Sequence, residues 1–205
     1  QDFDTVRVKS DALAVIRNDL RSRTQSGVVA TGSMSDPYNP FEGELQLTRH
    51  ALELLDAYGF GAAIATKGDG ITRDIDVLRC MREHVPVLCK VTVTTTDAAL
   101  AARVEPNAPS PARRLEAVAR LAEAGLFAGG LLMPGLPFLE DNAENVRAVA
   151  EAAAEAGARF VYPAFGMTLR DQQREYYYQA LEKGFPGLAE RYRRQYGTRY
   201  EGTSP

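Results

Sequence analysis

Polar side chains follow each of the apolar, β-branched runs of this sequence, and they include residue types that bind ligands and catalyse reactions. Ser33, Ser35 and Asp36 follow the first run, Lys67 follows the second, and Thr94 ends the third. In parallel α/β folds the carboxyl ends of the strands meet on one face, and ligands bind there. The spacing therefore predicts one site that is assembled from several strand ends.

The segment TGSMSDPYNPFE, residues 31–42, is the richest of these strand ends. Its Ser and Asp side chains are suited to ligand binding, but Asp and Asn also form rigid turns by accepting hydrogen bonds from their own backbone. Both interpretations stay open from the residue types alone. The preceding GVVA run, residues 27–30, is small and β-branched, so we expect a strand that is buried on both faces.

Lys67 ends the apolar run AIATK and allows three interpretations. It can donate to a ligand carboxylate, phosphate or ribose, it can form a Schiff base, or it can simply pair with Asp69 or Asp36. The donor role is favoured because no obvious general base accompanies the lysine. Glu105 and Arg114 bracket the next loop, where they can form a charge-assisted pair that faces a ligand or only pins the loop.

The composition indicates a single α/β domain with a substantial core. The chain has 205 residues, of which 45% are hydrophobic and 25% charged, and its net charge of -3 argues against a simple DNA-binding module. We find no candidate membrane span or signal peptide, so a cytoplasmic location is expected. Cys80 and Cys89 have no metal-ligand spacing, and we expect both to be buried small hydrophobic residues.

Strand and helix patterns alternate along the chain with short polar links, which predicts βαβ units and parallel strand pairing. The predicted strands cover residues 27–30, 61–66, 86–94, 126–133 and 158–163. The predicted helices cover about 10–23, 44–58, 72–84, 110–124 and 141–156, with N-caps at Thr72 and Ser110. The Tyr- and Arg-rich segment after residue 165 either packs as a helical cap or binds nucleic acid by base stacking.

A resemblance runs over nearly the whole chain and in order. The segments that carry it are TGSMSDPYNPFE, IATKGDGITRD, VTVTTTD, VEPNAPSPARRLEAVARLAEAG, LLMPGLPFLEDN, FGMTLRDQQREYYYQALEKGFPGL and YGTRYEGTSP. Together they resemble the radical S-adenosylmethionine proteins of the spore photoproduct lyase-like branch, often labelled DNA repair photolyase-like. The resemblance implies a partial (β/α)6 TIM-like barrel over residues 1–165, here lacking the first strand and cluster loop, and a helical C-terminal extension over 166–205.

The same resemblance implies the cofactors and the residues that bind them. It places Ser35, Lys67 and Thr94 against S-adenosylmethionine, with Glu105 and Arg114 near its methionine carboxylate. Ser33, Asp36 and Met133 complete the candidate cofactor-binding set; no catalytic residue is assigned and no metal ligand is expected in this chain. A 4Fe-4S cluster, an electron donor such as flavodoxin or ferredoxin, and possibly a nucleic-acid substrate are implied as well.

Three departures from the family pattern refine this expectation. The cluster motif CxxxCxxC does not occur in the chain, so we expect it upstream of Gln1 in a longer gene product. Ser33 stands where photoproduct lyases have a hydrogen-donating cysteine. Gly202, in YEGTSP, stands where the family usually has a Cys. A serine O–H bond is too strong for hydrogen-atom donation, so photoproduct repair itself is not predicted. The alternatives are a Schiff-base barrel aldolase that uses Lys67 and a non-catalytic nucleic-acid-binding remnant.

Overall fold

Strands curl into a half-barrel sheet in this computed structural model, which describes residues 8–33 and 35–204. Within that part of the chain the strands follow one another in the order β1 to β6, and β1 to β5 pair in parallel whereas β6 runs antiparallel to β5. Their bounds are Val28–Thr31, Gly61–Thr66, Val87–Thr92, Phe127–Gly135, Val161–Thr168 and Glu201–Thr203. The predicted partial TIM-like barrel is therefore confirmed. Residues 1–7 of the predicted barrel unit lie outside the described residues.

Helices precede β1, connect the parallel strands and follow β5. They are α1 Ala12–Ser22, α2 Glu42–Leu45, α3 Leu47–Ala57, the 3₁₀ helix Asp69–Asp74, α4 Ile75–Arg82, α5 Ala98–Val104, α6 Pro111–Glu123, α7 Ala143–Glu155, α8 Asp171–Gly184 and α9 Leu188–Tyr196. The predicted start of α6 is confirmed, because the Ser110 side chain accepts a hydrogen bond from the Arg113 amide and Pro111 is the first helical residue. No described helix has the length and apolar composition that crossing a bilayer would require.

The main core lies between the sheet and the helices that cover it. Leu52, Ile64, Leu78, Val91 and Leu121 are almost fully buried in this layer. A second cluster holds the C-terminal helices to the rest of the chain and consists mainly of aromatic side chains, with Tyr178, Tyr192 and Tyr196 buried in it. These three tyrosines therefore pack the cap, whereas Tyr176 and Tyr200 are exposed.

Several local predictions were wrong, and each error has a tertiary cause. β1 is buried on one face only, because Val29 packs against the core whereas Val28 is 52% exposed on the other face of the strand. Thr72 does not cap a helix; it lies inside the 3₁₀ helix, where its hydroxyl donates to the Asp69 carbonyl. Cys80 is exposed on α4, and only Cys89 is buried.

The last parallel strand also differs from its prediction. β5 begins at Val161 and continues to Thr168, past the predicted end at Pro163. Pro163 has no backbone N–H to donate. It is tolerated here because the pairing of β4 with β5 is irregular between Leu132 and Gly135, where fewer amide donors are needed. The antiparallel β6 and the short helix α5 escaped the sequence patterns altogether.

A substitution at Gly32 tests how tightly the loop after β1 is packed. Its φ of +89° disfavours any side chain, and a Cβ there would overlap the Ala65 carbonyl oxygen. We expect Gly32→Ala to lower the free energy of unfolding by about 2–4 kcal/mol, through left-handed strain and overpacking. Urea unfolding measures this directly.

Gly43→Ala is the matched control, because a Cβ at Gly43 meets nothing within 4 Å. We expect this variant to be unchanged or up to about 1 kcal/mol more stable, since alanine favours the helix. Equal stability changes in the two variants would contradict the described packing of the loop.

Candidate functional site

Asp36 fastens the loop after β1 to the end of β2. One carboxylate oxygen accepts hydrogen bonds from the Thr66 hydroxyl at 2.5 Å and the Tyr38 amide at 2.9 Å. The other oxygen accepts from the Lys67 amide at 2.7 Å. Because both oxygens are used within the protein, Asp36 serves to position the loop on which Ser33 and Ser35 lie exposed.

A buried cluster of charged side chains supports the same loop. Asp74 is fully buried and accepts hydrogen bonds from the Tyr38 hydroxyl, the Arg73 guanidinium and the Arg49 guanidinium. Burial, and then the neighbouring Asp74 carboxylate, raise the pKa of the Tyr38 hydroxyl. Arg73 also donates to the buried Glu42 at 3.0 Å, so the cluster joins the loop after β1 to the 3₁₀ helix after β2. These bonds give the strand-end loops a rigid support.

A chain of three charges lies at the strand ends. Lys67 forms an ion pair with one oxygen of Glu105, and the other oxygen accepts from the Arg114 guanidinium at 2.6 Å. Burial alone would raise the pKa of the Glu105 carboxyl, but Lys67 and Arg114 outweigh burial and lower that pKa below its usual range. The predicted pair of Glu105 and Arg114 is therefore confirmed, and the Lys67 side chain pairs with Glu105 instead of Asp69 or Asp36.

Arg114 is committed to this arrangement from within the protein. Its side chain is 4% exposed and also donates to the carbonyl oxygens of Thr92, at 3.1 Å, and Pro109, at 2.8 Å. Arg114 thus positions Glu105. Of the two cations that pair with Glu105, Lys67 is the one open to a ligand, because its side chain is 37% exposed. Asp69 is engaged elsewhere, in an ion pair with Arg113 at 2.5 Å.

Glu140 is a buried carboxyl that the sequence patterns did not single out. The Asn145 side chain donates to the carbonyl oxygens of Thr94 and Glu140, both at 2.8 Å, so it ties the end of β3 to the loop that carries Glu140. Glu140 accepts one hydrogen bond from the Leu136 amide at 2.9 Å. Burial raises the pKa of this carboxyl, and the Leu136 amide and the Thr94 side chain oppose the rise only in part. A carboxyl directly after the apolar residues 136–139, in the loop that follows a buried strand, was the available signal.

A cavity of about 840 Å³ opens beside the ends of β4 and β5. Ser33, Met133, Phe165, Tyr176 and Tyr177 are among the residues that line it, and apolar atoms dominate its walls. Its volume is in the range of small-molecule and cofactor sites. The fold therefore brings Ser33 and Met133 to one cavity. The other predicted site residues are not among its lining residues: Ser35, Asp36, Lys67, Thr94, Glu105 and Arg114.

Tyr177 lines the cavity and packs against the aromatic cluster of the C-terminal helices. Burial is the main reason that the pKa of Tyr177 is raised to about 12, and the nearby Glu140 charge contributes in the same direction. The hydroxyl groups of Tyr177 and Tyr192 lie 3.3 Å apart, and Tyr192 donates to the Pro137 carbonyl at 2.6 Å. The C-terminal helices thereby support the loop after β4. In the described part of the chain, no group of three or more His, Cys, Asp or Glu side chains could hold a metal ion.

Comparisons of sequence find relatives that carry no functional name. No protein-family model matches the chain. An uncharacterized protein of Mycobacterium tuberculosis is 34% identical over 197 residues, which make up 95% of this chain and 58% of that protein. An uncharacterized protein of Methanocaldococcus jannaschii is 28% identical over 122 residues, 60% of this chain and 46% of that protein. The chain thus spans between two-fifths and three-fifths of these relatives.

Comparisons of structure identify the fold. A spore photoproduct lyase variant superposes with a TM-score of 0.54 at 14% identity, over 85% of this chain and 50% of that one. A second variant of that enzyme, with bound AdoMet and dinucleoside spore photoproduct, superposes with a TM-score of 0.52 at 15% identity. At these identities the likeness shows a shared fold, which is the fold that the sequence resemblance implied.

The raised pKa of Glu140 makes a prediction for stability. A carboxyl whose pKa is raised by folding stabilises the native state below its ordinary pKa of 4.5, and this contribution is lost as the pH rises through the native value. We therefore expect the unfolding free energy of the parent, relative to Glu140→Gln, to fall as the pH rises from about 4 to neutrality. Denaturant unfolding at a series of pH values tests this.

The control for this series is Glu116→Gln, because Glu116 is an exposed residue of α6. Its substitution reports the effect of losing a surface carboxylate. If the parent instead gains stability over Glu140→Gln as the pH rises, the carboxyl is ionised in the native state and the interpretation of its burial is wrong.

Proposed function

We propose that this chain is the S-adenosylmethionine-binding part of a radical S-adenosylmethionine enzyme. The observation that supports this most directly is the alternation of charges from Lys67 through Glu105 to Arg114 at the strand ends of a barrel. The barrel fold is shared with a lyase whose structure contains AdoMet. Together with the sequence resemblance, the site suits a ligand that carries both an ammonium and a carboxylate.

The donor set fits the methionine end of this cofactor. An amino-acid group needs an acceptor for its ammonium and a donor for its carboxylate, and Glu105 and Lys67 supply these two functions side by side. Arg114 holds Glu105 in place from the buried side. We propose that the hydroxyl groups of Ser33, Ser35 and Thr94 serve the ribose and the remaining polar atoms.

The adenine end requires an apolar surface. Met133 is 37% exposed and lines the cavity together with Ser33 and Phe165. A thioether is polarisable and packs favourably against aromatic rings, so Met133 suits a purine face. Asp36 takes part indirectly, because it fixes the loop that carries both serines.

When bound at a 4Fe-4S cluster and reduced by one electron, S-adenosylmethionine supplies a 5′-deoxyadenosyl radical, which is the reactive species of this class of enzyme. The residues of this chain bind and orient the cofactor and exclude water from it. We propose that the cluster cysteines lie outside residues 1–205, since thiolates hold such clusters and Cys89 is buried within β3. A flavodoxin or ferredoxin would supply the electron, and the substrate could be a nucleic acid.

Two alternatives have less support. A Schiff-base aldolase needs a lysine amine that is free to attack a carbonyl group, but the Lys67 side chain is paired with Glu105. Borohydride trapping with a carbonyl substrate would label Lys67 only if the aldolase interpretation were right. A nucleic-acid-binding remnant would use the C-terminal tyrosines, yet Tyr178, Tyr192 and Tyr196 are buried in the cap. Binding through such a surface would weaken steeply with salt.

Substitution of Lys67 tests the cofactor site. Lys67→Met keeps the aliphatic stem and removes the donor, so ligand oxygens lose a charged partner in a partly desolvated site. We expect S-adenosylmethionine to bind about 10- to 150-fold more weakly, which corresponds to roughly 1.5–3 kcal/mol. Calorimetry on the cluster-loaded, full-length gene product measures the change.

Lys183→Met is the control, because Lys183 is exposed on α8. It should leave the affinity unchanged. Binding by Lys67→Met within about twofold of the parent would remove this lysine from the cofactor site.

A further inference from the structure

The cavity beside β4 and β5 extends beyond the part that the proposed cofactor site uses. Ser33 follows the first strand of the sheet, whereas Glu201 and Thr203 lie on the last strand, and all three residues line the cavity. A volume of about 840 Å³ is in the range that encloses a whole drug-sized ligand, so an adenine ring beside Met133 fills only part of it. The part at β6 and α8 lies outside the proposed cofactor site.

The antiparallel ribbon of β5 and β6 directs Glu201 towards the cavity. Side chains alternate along a strand, and Gly202 packs against the Tyr196 ring of the C-terminal cap, where an added Cβ would lie 3.3 Å from ring atoms. Glu201 and Thr203, on either side of Gly202, therefore point away from the cap and to the cavity that they line. The Tyr196 hydroxyl donates to the Thr203 carbonyl at 2.9 Å, which holds the strand in this orientation.

One face of α8 forms the adjacent wall. Gln173, Tyr176 and Tyr177 all line the cavity, and their spacing of three and four residues puts them side by side on a helix. Tyr176 is 68% exposed, and apolar atoms dominate the surface of the cavity. A ligand with an aromatic or aliphatic body would pack against these side chains.

The charge of the cavity selects among such ligands. Glu201 is the only charged residue among the described residues that line it. Within residues 8–33 and 35–204 the Glu201 side chain has no ion pair or hydrogen bond, and the Arg170 guanidinium donates instead to the Tyr200 hydroxyl at 3.1 Å. A carboxylate accepts hydrogen bonds from an ammonium, and aromatic rings attract the same cation. The cavity therefore favours a cationic ligand over a phosphate or a carboxylate.

We propose that the part of the cavity between β6 and α8 is the substrate site, and that it binds a small molecule with an aromatic or aliphatic body and a protonated amine. The body lies against Tyr176 and Tyr177, and Glu201 accepts hydrogen bonds from the ammonium. This inference rests on the proposed function, because it takes S-adenosylmethionine as the ligand of the neighbouring cofactor site. It selects a small amine over a nucleic acid, whose phosphates would be repelled by the Glu201 carboxylate.

Three matched probes test the charge preference. Phenethylamine, 2-phenylethanol and 3-phenylpropionate share a phenyl ring on a two-carbon chain and end in an ammonium, a hydroxyl and a carboxylate. The sample is the full-length, cluster-loaded protein without reductant, saturated with S-adenosylmethionine so that the cofactor site is filled. Ligand-detected NMR titration measures each affinity, and we expect phenethylamine to bind about 10-fold more tightly than 3-phenylpropionate.

Substitutions of Glu201 show whether this carboxylate sets the preference. Glu201→Gln keeps the shape of the side chain and should weaken phenethylamine binding about 5- to 10-fold, whereas 2-phenylethanol should bind as it does to the parent. Glu201→Lys should reverse the preference in favour of 3-phenylpropionate. Both variants should fold, because Glu201 is exposed. Glu175→Gln is the control and should match the parent, since Glu175 is exposed on α8 and does not line the cavity.

The inference is overturned if the parent, with S-adenosylmethionine bound, binds the three probes equally, prefers 3-phenylpropionate or binds none of them. It is overturned equally if Glu201→Gln keeps the full preference for phenethylamine. These results leave the proposed function intact, because S-adenosylmethionine is bound in the same sample. If the cluster-loaded protein binds no S-adenosylmethionine at all, the proposed function fails and this inference fails with it.

Discussion

Parallel pairing of β1 to β5 is the constraint on which the candidate site depends. Because these strands run in one direction, their carboxyl ends lie along one edge of the sheet, although the residues that follow them are far apart in the sequence. Direct bonds then join neighbouring strand ends: Asp36 binds the Lys67 amide, and Asn145 joins Thr94 to Glu140. The half-barrel therefore brings polar loops that are separate in the sequence to the same edge of the sheet.

The charged side chains at these strand ends are paired with one another. Glu105 is shared between Lys67 and Arg114, and Arg114 is further held by two backbone carbonyl groups. Removing one member of such a set leaves a partly buried charge without its partner, which costs more than the pair itself contributes. The arrangement is thus already ordered before a ligand arrives, and a preorganised site spends less binding energy on ordering its side chains.

The sequence predicted the features that local chemistry determines. The bounds of β2 agree with their prediction at both ends, and Ser110 caps α6 as its residue type indicates. The pairing of Glu105 with Arg114 also followed from residue type and spacing. The sequence could not predict that Thr72 would lie in a 3₁₀ helix or that Cys80 would face solvent, because both depend on how neighbouring helices pack. Glu140 was not singled out for the same reason, since its burial depends on tertiary packing.

We propose that this barrel orients S-adenosylmethionine for reductive cleavage. Its most direct test is the amount of 5′-deoxyadenosine that the full-length, reconstituted protein forms from S-adenosylmethionine under anaerobic conditions with a strong reductant. We expect 5′-deoxyadenosine to form in the parent and to fall sharply when Lys67 is replaced by Met. A protein that binds its full complement of iron yet forms none of this product would contradict the account.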